Sequence, residues 1–291
     1  MYKIIVDTDI GSDIDDVMAL SYLLSHKDYD ILGITTVTGD PVGRARIASA
    51  LIKHAGRNIP IYPGSASPLH IKQIQTEAPQ VEGITHWNHQ KEFKENREID
   101  FLHDIITSNP GEVIVVSIGP LTNIARLFIK YPDIHHLIKG FYSMSGRFGV
   151  GENFSDVLEW NVMLDPEAAK IVYETPIDTH ICVGSNITRQ MRMESVDVKN
   201  HFDTDQFKII YDFCRIWFKK REFMTFHDPL TTAVIDNPQL CRLQKGSIEI
   251  DEKAITYWHP EALNGHNSVA VDVNKEQFFN HFFRVLENFG K

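Results

Sequence analysis

The sequence predicts an α/β fold: a single domain with a mainly parallel central sheet flanked by helices. Two observations predict it. Short, almost unbroken runs of Val, Ile and Leu alternate with stretches at helical spacing, as expected of strands covered on both faces. Five aspartates, Asp7, Asp9, Asp13, Asp15 and Asp16, then crowd the end of the first such run. In parallel α/β sheets, ligand sites lie at the carboxyl ends of the strands.

Strands are expected at residues 3–7, 31–37, 113–118, 140–145 and 179–183, and helices at 15–25, 42–55, 101–108 and 121–130. Their alternation gives βαβ units. Residues 66–98 break the rhythm: they are polar, without a period, and contain GITHWNHQKEF. A long irregular segment in a compact domain reads as a flap over a site or a surface insertion. Residues 205–221 carry Phe207, Ile210, Tyr211, Phe213, Cys214, Trp217 and Phe218 as a wide apolar helical stripe. Two strand-like runs follow at 247–250 and 268–273, then a closing amphipathic helix at 275–287. No repeat, low-complexity tract or flexible linker divides the chain, so residues 1–291 are expected to form one domain.

The 291 residues suffice for a sizeable core, and 43% hydrophobic with 23% charged content is ordinary for a globular protein. The net charge of −10 argues against nucleic acid as an electrostatic partner but not against a small nucleoside. Cys182, Cys214 and Cys241 show no paired spacing, which fits a reducing compartment and carries no zinc pattern. Neither a leader pattern nor a membrane-spanning apolar run is visible, so a cytoplasmic protein without membrane contact is expected.

Carboxylates packed so closely raise one another's pKa. Lys and Arg are absent between Ile4 and His26, so a metal ion is the natural counter-charge, and all-oxygen ligation favours Ca²⁺ or Mg²⁺. Helix capping accounts for one or two of the five, not all. An EF-hand fails, because Gly11 comes one place early and Met18 stands where the Glu belongs. D-x-D after a first strand also occurs in Mg²⁺-dependent phosphohydrolases, but Gly11 replaces the expected Thr or Val.

Four further stretches look like chemistry: VTGD (37–40), SIGPLTNIA (117–125), GENFSDVLEWN (151–161) before DPEAA, and FHDPLTTAV (226–234). Each alone has a bland reading as a turn or a helix start. Together with D-x-D-x-G…D-D, in this order from Val6 to Asp228, they resemble the inosine–uridine-preferring nucleoside hydrolases.

The resemblance implies a nucleoside-hydrolase-like fold and one Ca²⁺ per subunit. It implies hydrolysis of the N-glycosidic bond of ribonucleosides to ribose and free base, in nucleoside salvage. By motif position, Asp9, Asp16, Asp228 and the Ile118 carbonyl would ligate calcium. Asp15 would hold the 2′-hydroxyl, Asn161 the 3′-hydroxyl, and Asn153 with Glu159 the 5′-hydroxyl. Asp9 would activate a metal-bound water through an oxocarbenium-like transition state, and His227 would protonate the leaving base. Trp160 would pack near the sugar or base; Asp40, in the place of a common Asn, would accept a ribose hydroxyl; and His86 with Trp87, the nearest match to the family's His-Gly flap, would contact or stack on the base. The first motif is two residues longer than its shortest family form, which makes Asp13 extra and leaves Asp13 or Asp15 for the ribose. The family's habit implies a homodimer or homotetramer. The alternatives are the phosphohydrolase and a non-catalytic nucleoside- or pentose-binding protein.

Overall fold

A computed structural model describes residues 1–149, 156–260 and 262–291. The chain begins with β1 (Tyr2–Thr8), α1 (Asp15–Ser25), β2 (Tyr29–Thr36), α2 (Pro41–His54) and β3 (Ile61–Pro63). After the irregular stretch come α3 (Glu98–Ser108), β4 (Val113–Ser117), α4 (Thr122–Lys130) and β5 (Ile138–Ser143). Next are α5 (Trp160–Leu164), α6 (Pro166–Glu174), β6 (His180–Cys182), α7 (Ser185–Thr188), β7 (Arg192–Glu194) and α8 (Ser195–Phe202). The last part holds α9 (Lys208–Trp217), β8 (Phe223–Thr225), α10 (His227–Ala233), β9 (Cys241–Ile250), β10 (Thr256–His259), β11 (Asn267–Val273) and α11 (Lys275–Leu286).

Nine strands form one sheet in the order β10-β9-β11-β6-β5-β4-β1-β2-β3. Neighbours from β11 through β3 are parallel, while β9 pairs antiparallel with both β11 and β10. Side chains of successive strand residues go to opposite faces, and the core divides accordingly. Ile4 and Val6 join Ile114 and Val116 on the face covered by α1, α2, α10 and α11. Ile5 joins Val113 and Val115 on the face covered by α3, α4 and α6. This two-sided burial is why these strands read as continuous apolar runs rather than alternating ones.

The expected strands and helices through residue 145 are all present, with ends displaced by a few residues. The apolar stripe at 205–221 is shorter as an α-helix, ending at Trp217, because the following segment turns into β8, which pairs with β7. The short strands β3, β7, β8 and β10 were not expected. At three or four residues each, they carry too little pattern to stand out in sequence. Residues 66–97 hold only a 3₁₀ turn at Pro79–Ile84. Among the described residues, no helix is long and apolar enough to cross a membrane.

Candidate active site

Strand order runs outward in both directions from the β4–β1 pair, so the crevice between their carboxyl ends is the switch point of the sheet. Asp9 follows β1 there, and Ile118 follows β4. The two segments touch. A Cβ on Gly119 would lie 2.8 Å from the Asp9 nitrogen and 3.0 Å from its Oδ1, so only glycine fits. Asp15 and Asp16 open α1, and Asp228 lies in the first turn of α10, which packs on α1. The Asp228 amide donates to Asp15 Oδ2 at 3.3 Å, and Thr8 Oγ1 donates to Asp16 Oδ1 at 2.5 Å.

Asp15, Asp16 and Asp228, all buried, offer carboxylate oxygens within 4.8 Å of one another. Burial first, then the charges of their neighbours, hold all three carboxyls well above the ordinary range. Asp9 is raised by burial as well, and Asp13 is pushed up to about 7 by burial with the charge of Asp9 adding. Among the described residues, none of the five forms an ion pair with a Lys or Arg. An all-oxygen, desolvated, mutually repelling donor set fits a hard divalent cation. The tightest group contains Asp15, expected on the ribose, with Asp9 beside it.

One buried cation reaches the loop between β1 and α1. Arg44 of α2 is fully buried, but its guanidinium donates to the Asp9, Ile10 and Thr38 carbonyls and to Ser12 Oγ. It braces the loop without pairing a carboxylate. Arg44 lies beyond the acidic stretch, and its only signal in the sequence is a place among the small apolar residues of GRARIASAL.

The opposite wall comes from residues before and within α5. Glu159 caps that helix: Oε1 accepts from the Asn161 amide at 3.0 Å, and Oε2 from the Gly146 and Val162 amides at 2.9 and 3.1 Å. Asn161 Nδ2 donates to the Met144 and Ile118 carbonyls at 2.8 and 3.3 Å. Trp160 is 51% exposed, and its indole N–H donates to Gln75 Oε1. His227 Nδ1 lies 2.5 Å from Thr188 Oγ1; burial, with the charge of Arg189 adding, lowers this imidazole to about 4. These groups line a cavity of about 770 Å³, with Trp217 on its side and Arg189 and Arg221 also in its wall. Gln75, Trp217, Arg189 and Arg221 were not expected from the sequence.

Asp7 stands behind the site. Its carboxyl accepts from Thr35, Asn123 and Ser117, and burial pushes it up to about 7. Asn123 of GPLTN thus braces Asp7, and Asp165 of DPEAA caps α6 while binding Leu69 N and Thr122 Oγ1. These motif residues are scaffold rather than site.

Two expected substrate residues lie elsewhere. Asp40 is exposed and caps α2, accepting from the Gly43 amide at 2.8 Å, so its carboxylate is spent on the helix end. His86 is also exposed. Its Nε2 pairs with Asp212 of α9 at 3.0 Å, and Trp87 Nε1 donates to the same carboxylate, so this part of the flap is pinned to α9 away from the cavity. Asn153 lies outside the described residues.

A family model described as inosine-uridine preferring nucleoside hydrolase matches residues 4–280. Uridine nucleosidase 1 of Arabidopsis thaliana is 28% identical over 278 residues, covering 88% of this chain and 80% of its own. Among solved structures, a purine-preferring ribonucleoside hydrolase from Gardnerella vaginalis superposes with a TM-score of 0.85 at 23% identity, over 99% of both chains. The plant nucleoside hydrolase PpNRh1 superposes at 0.84 and 24% identity, over 98% of both chains.

Proposed function

The chain belongs to the inosine–uridine preferring nucleoside hydrolase family and is a nucleoside N-ribohydrolase; we propose that it releases free base from ribonucleosides at the cavity around Asp9, with calcium as its ion. One observation carries this reading: buried aspartates from the segment after β1 and from α1 and α10 converge at the switch point with no Lys or Arg ion-paired to them among the described residues. Asp9, Asp16, Asp228 and the Ile118 carbonyl are the proposed ligands. Calcium, when bound, supplies an oriented water of lowered pKa and a hold on the ribose diol.

The chain's own residues do the rest. Asp9 takes the proton of the attacking water. Asp15 keeps Oδ2 on the Asp228 amide and accepts the 2′-hydroxyl through Oδ1. Asn161 has its amide hydrogens on two carbonyls, which leaves Oδ1 to accept the 3′-hydroxyl. Three backbone amides occupy Glu159, so about one of a carboxylate's roughly four acceptor positions remains for the 5′-hydroxyl. The carboxylate floor stabilises positive charge as the C1′–N bond opens. With the Thr188 hydroxyl donating to His227 Nδ1, that neutral ring offers Nε2–H as a hydrogen bond to the departing base rather than as the transferred proton that the motif position implies. Assembly as a homodimer or homotetramer, which light scattering reads directly, belongs to the same proposal.

The test is base release from uridine, the nucleoside named in the Arabidopsis relative, and from inosine. The expected result is calcium-dependent turnover that chelation abolishes, with Asp9→Asn slower by roughly 10²- to 10⁴-fold. Full turnover after chelation overturns the metal role; near-wild-type Asp9→Asn overturns the base assignment.

A further inference from the structure

We propose that Gln75, on the irregular segment between β3 and α3, is a positioning residue that fixes the carboxylate of Asp9, an inference that rests on the hydrolase reading of the cavity. Gln75 is 9% exposed. Its Nε2 donates to Asp9 Oδ2 at 2.9 Å and to Ser12 Oγ at 2.7 Å. Its Oε1 accepts from the Trp160 indole. An indole N–H only donates, so the amide has one orientation: oxygen toward Trp160, nitrogen toward Asp9. Asp9 Oδ2 is thereby held by Gln75, while Oδ1 faces the space beside Gly119 that any larger residue's Cβ would fill, at 3.0 Å. Gln75 thus anchors one oxygen of the carboxylate and leaves the other facing the site.

The support for Gln75 comes from the VTGD turn, which the site itself does not use. Gln73 Nε2 donates to Thr38 Oγ1 at 2.7 Å and to the Ala66 carbonyl at 2.6 Å, and Gln73 Oε1 accepts from the Gln75 amide at 2.8 Å. Thr38 and Gly39 both have φ of 65°, which presents their amides to Ser65 and Ala66. A Cβ on Gly39 would stand 2.1 Å from the Gln75 carbonyl oxygen. The turn after β2 therefore needs glycine where the Gln75 backbone passes. The segment reaches Asp9 as a braced arm, and through Trp160 it joins the sugar-side wall to the metal-side floor.

A general base displaced by about 1 Å loses roughly 10²-fold in rate. Gln75→Met keeps the length of the side chain and removes both of its polar atoms. Gln75→Glu keeps length and polarity and sets a second carboxylate against Asp9. In the full-length calcium-loaded protein, both are expected to lower kcat ten- to a hundredfold, Glu by the larger factor, with KM within threefold of wild type. Calcium titrated calorimetrically into metal-free Gln75→Met is expected to bind at least threefold more weakly. A kcat within twofold of wild type in both variants, or a loss confined to KM, overturns the proposal. If the wild type releases no base from any nucleoside, the hydrolase reading fails, and the calcium titration alone decides Gln75: weaker binding supports it and unchanged binding overturns it.

Discussion

The two ends of α1 treat buried acid in opposite ways. At its first turn, Asp15 and Asp16 meet Asp9 and Asp228; the charged neighbours of Asp15 are all carboxylates, while Asp9 and Asp16 also feel Arg44, which forms no ion pair with them. Past its last turn, the chain meets Asp236, which lies beyond the far end of α10. Tyr22 and Tyr29 donate to Asp236 Oδ1 at 2.6 and 2.7 Å. His281 and His26 donate to Oδ2 at 2.8 and 3.4 Å. Each ring accepts at Nδ1, His281 from Arg284 and His26 from the Asp28 amide, so each is fixed with its Nε2–H toward the acid. Burial alone would raise Asp236, but these four donors outweigh it and hold the carboxyl well below the usual range. Where only stability is at stake, the chain supplies every donor. At the sheet's carboxyl end the field of Arg44 only partly offsets the crowded charge, which costs stability and leaves room for a ligand to complete the site.

Exchanging an acid for its amide should break this symmetry in opposite directions. Asp16→Asn or Asp228→Asn is expected to lower kcat/KM by roughly 10³-fold, while the melting temperature of the metal-free protein rises because a repelling charge is gone. A lowered melting temperature would mean the cluster is already compensated. Asp236→Asn is expected to cost about 2–4 kcal/mol by chemical denaturation, with kcat/KM of the folded fraction within twofold of wild type. Calcium at about 100 times its Kd should stabilise the wild type by about 2.7 kcal/mol. Asp236→Asn should keep that increment and Asp228→Asn should lose most of it, as thermal melts with and without chelator would read.

The same contrast separates what the sequence discloses from what it hides. The acidic floor was legible because like charges cannot be buried together without a counter-charge, and Asp9, Asp15, Asp16 and Asp228 do line one cavity. The sheet was legible because strands covered on both faces leave unbroken apolar runs. Arg44 and Gln75 were not, since each arrives from another segment and neither is set apart by periodicity. His86 misled because its partner Asp212 comes from a distant helix, and Asp40 for a related reason. The end of a strand and the start of a helix are one place in the chain, and sequence does not say whether an acid there faces a ligand or caps a helix. The Asp236 cluster draws on residues from Tyr22 to His281, a constellation only the fold assembles.

The smallest effect expected is the pH dependence of Asp236. In the unfolded chain its carboxyl titrates near the ordinary value of about 4, and in the folded protein it titrates well below that. Above roughly pH 5 both states are ionised, so its contribution to stability is fully present and flat. As the pH falls through about 4 the unfolded chain takes up a proton first, and the contribution is lost toward the folded value at up to about 1.4 kcal/mol per pH unit. The difference in unfolding free energy between wild type and Asp236→Asn, measured in chelator below pH 5, isolates this, because the aspartates of the cavity are common to both proteins and cancel. That difference should shrink between pH 4 and pH 3, below the range in which the imidazoles of His26 and His281 that touch this acid ordinarily titrate. A difference that stays constant through pH 3 would mean that the Tyr and His donors do not favour the ionised acid, and the contrast between the two ends of α1 would fail at its better-satisfied end.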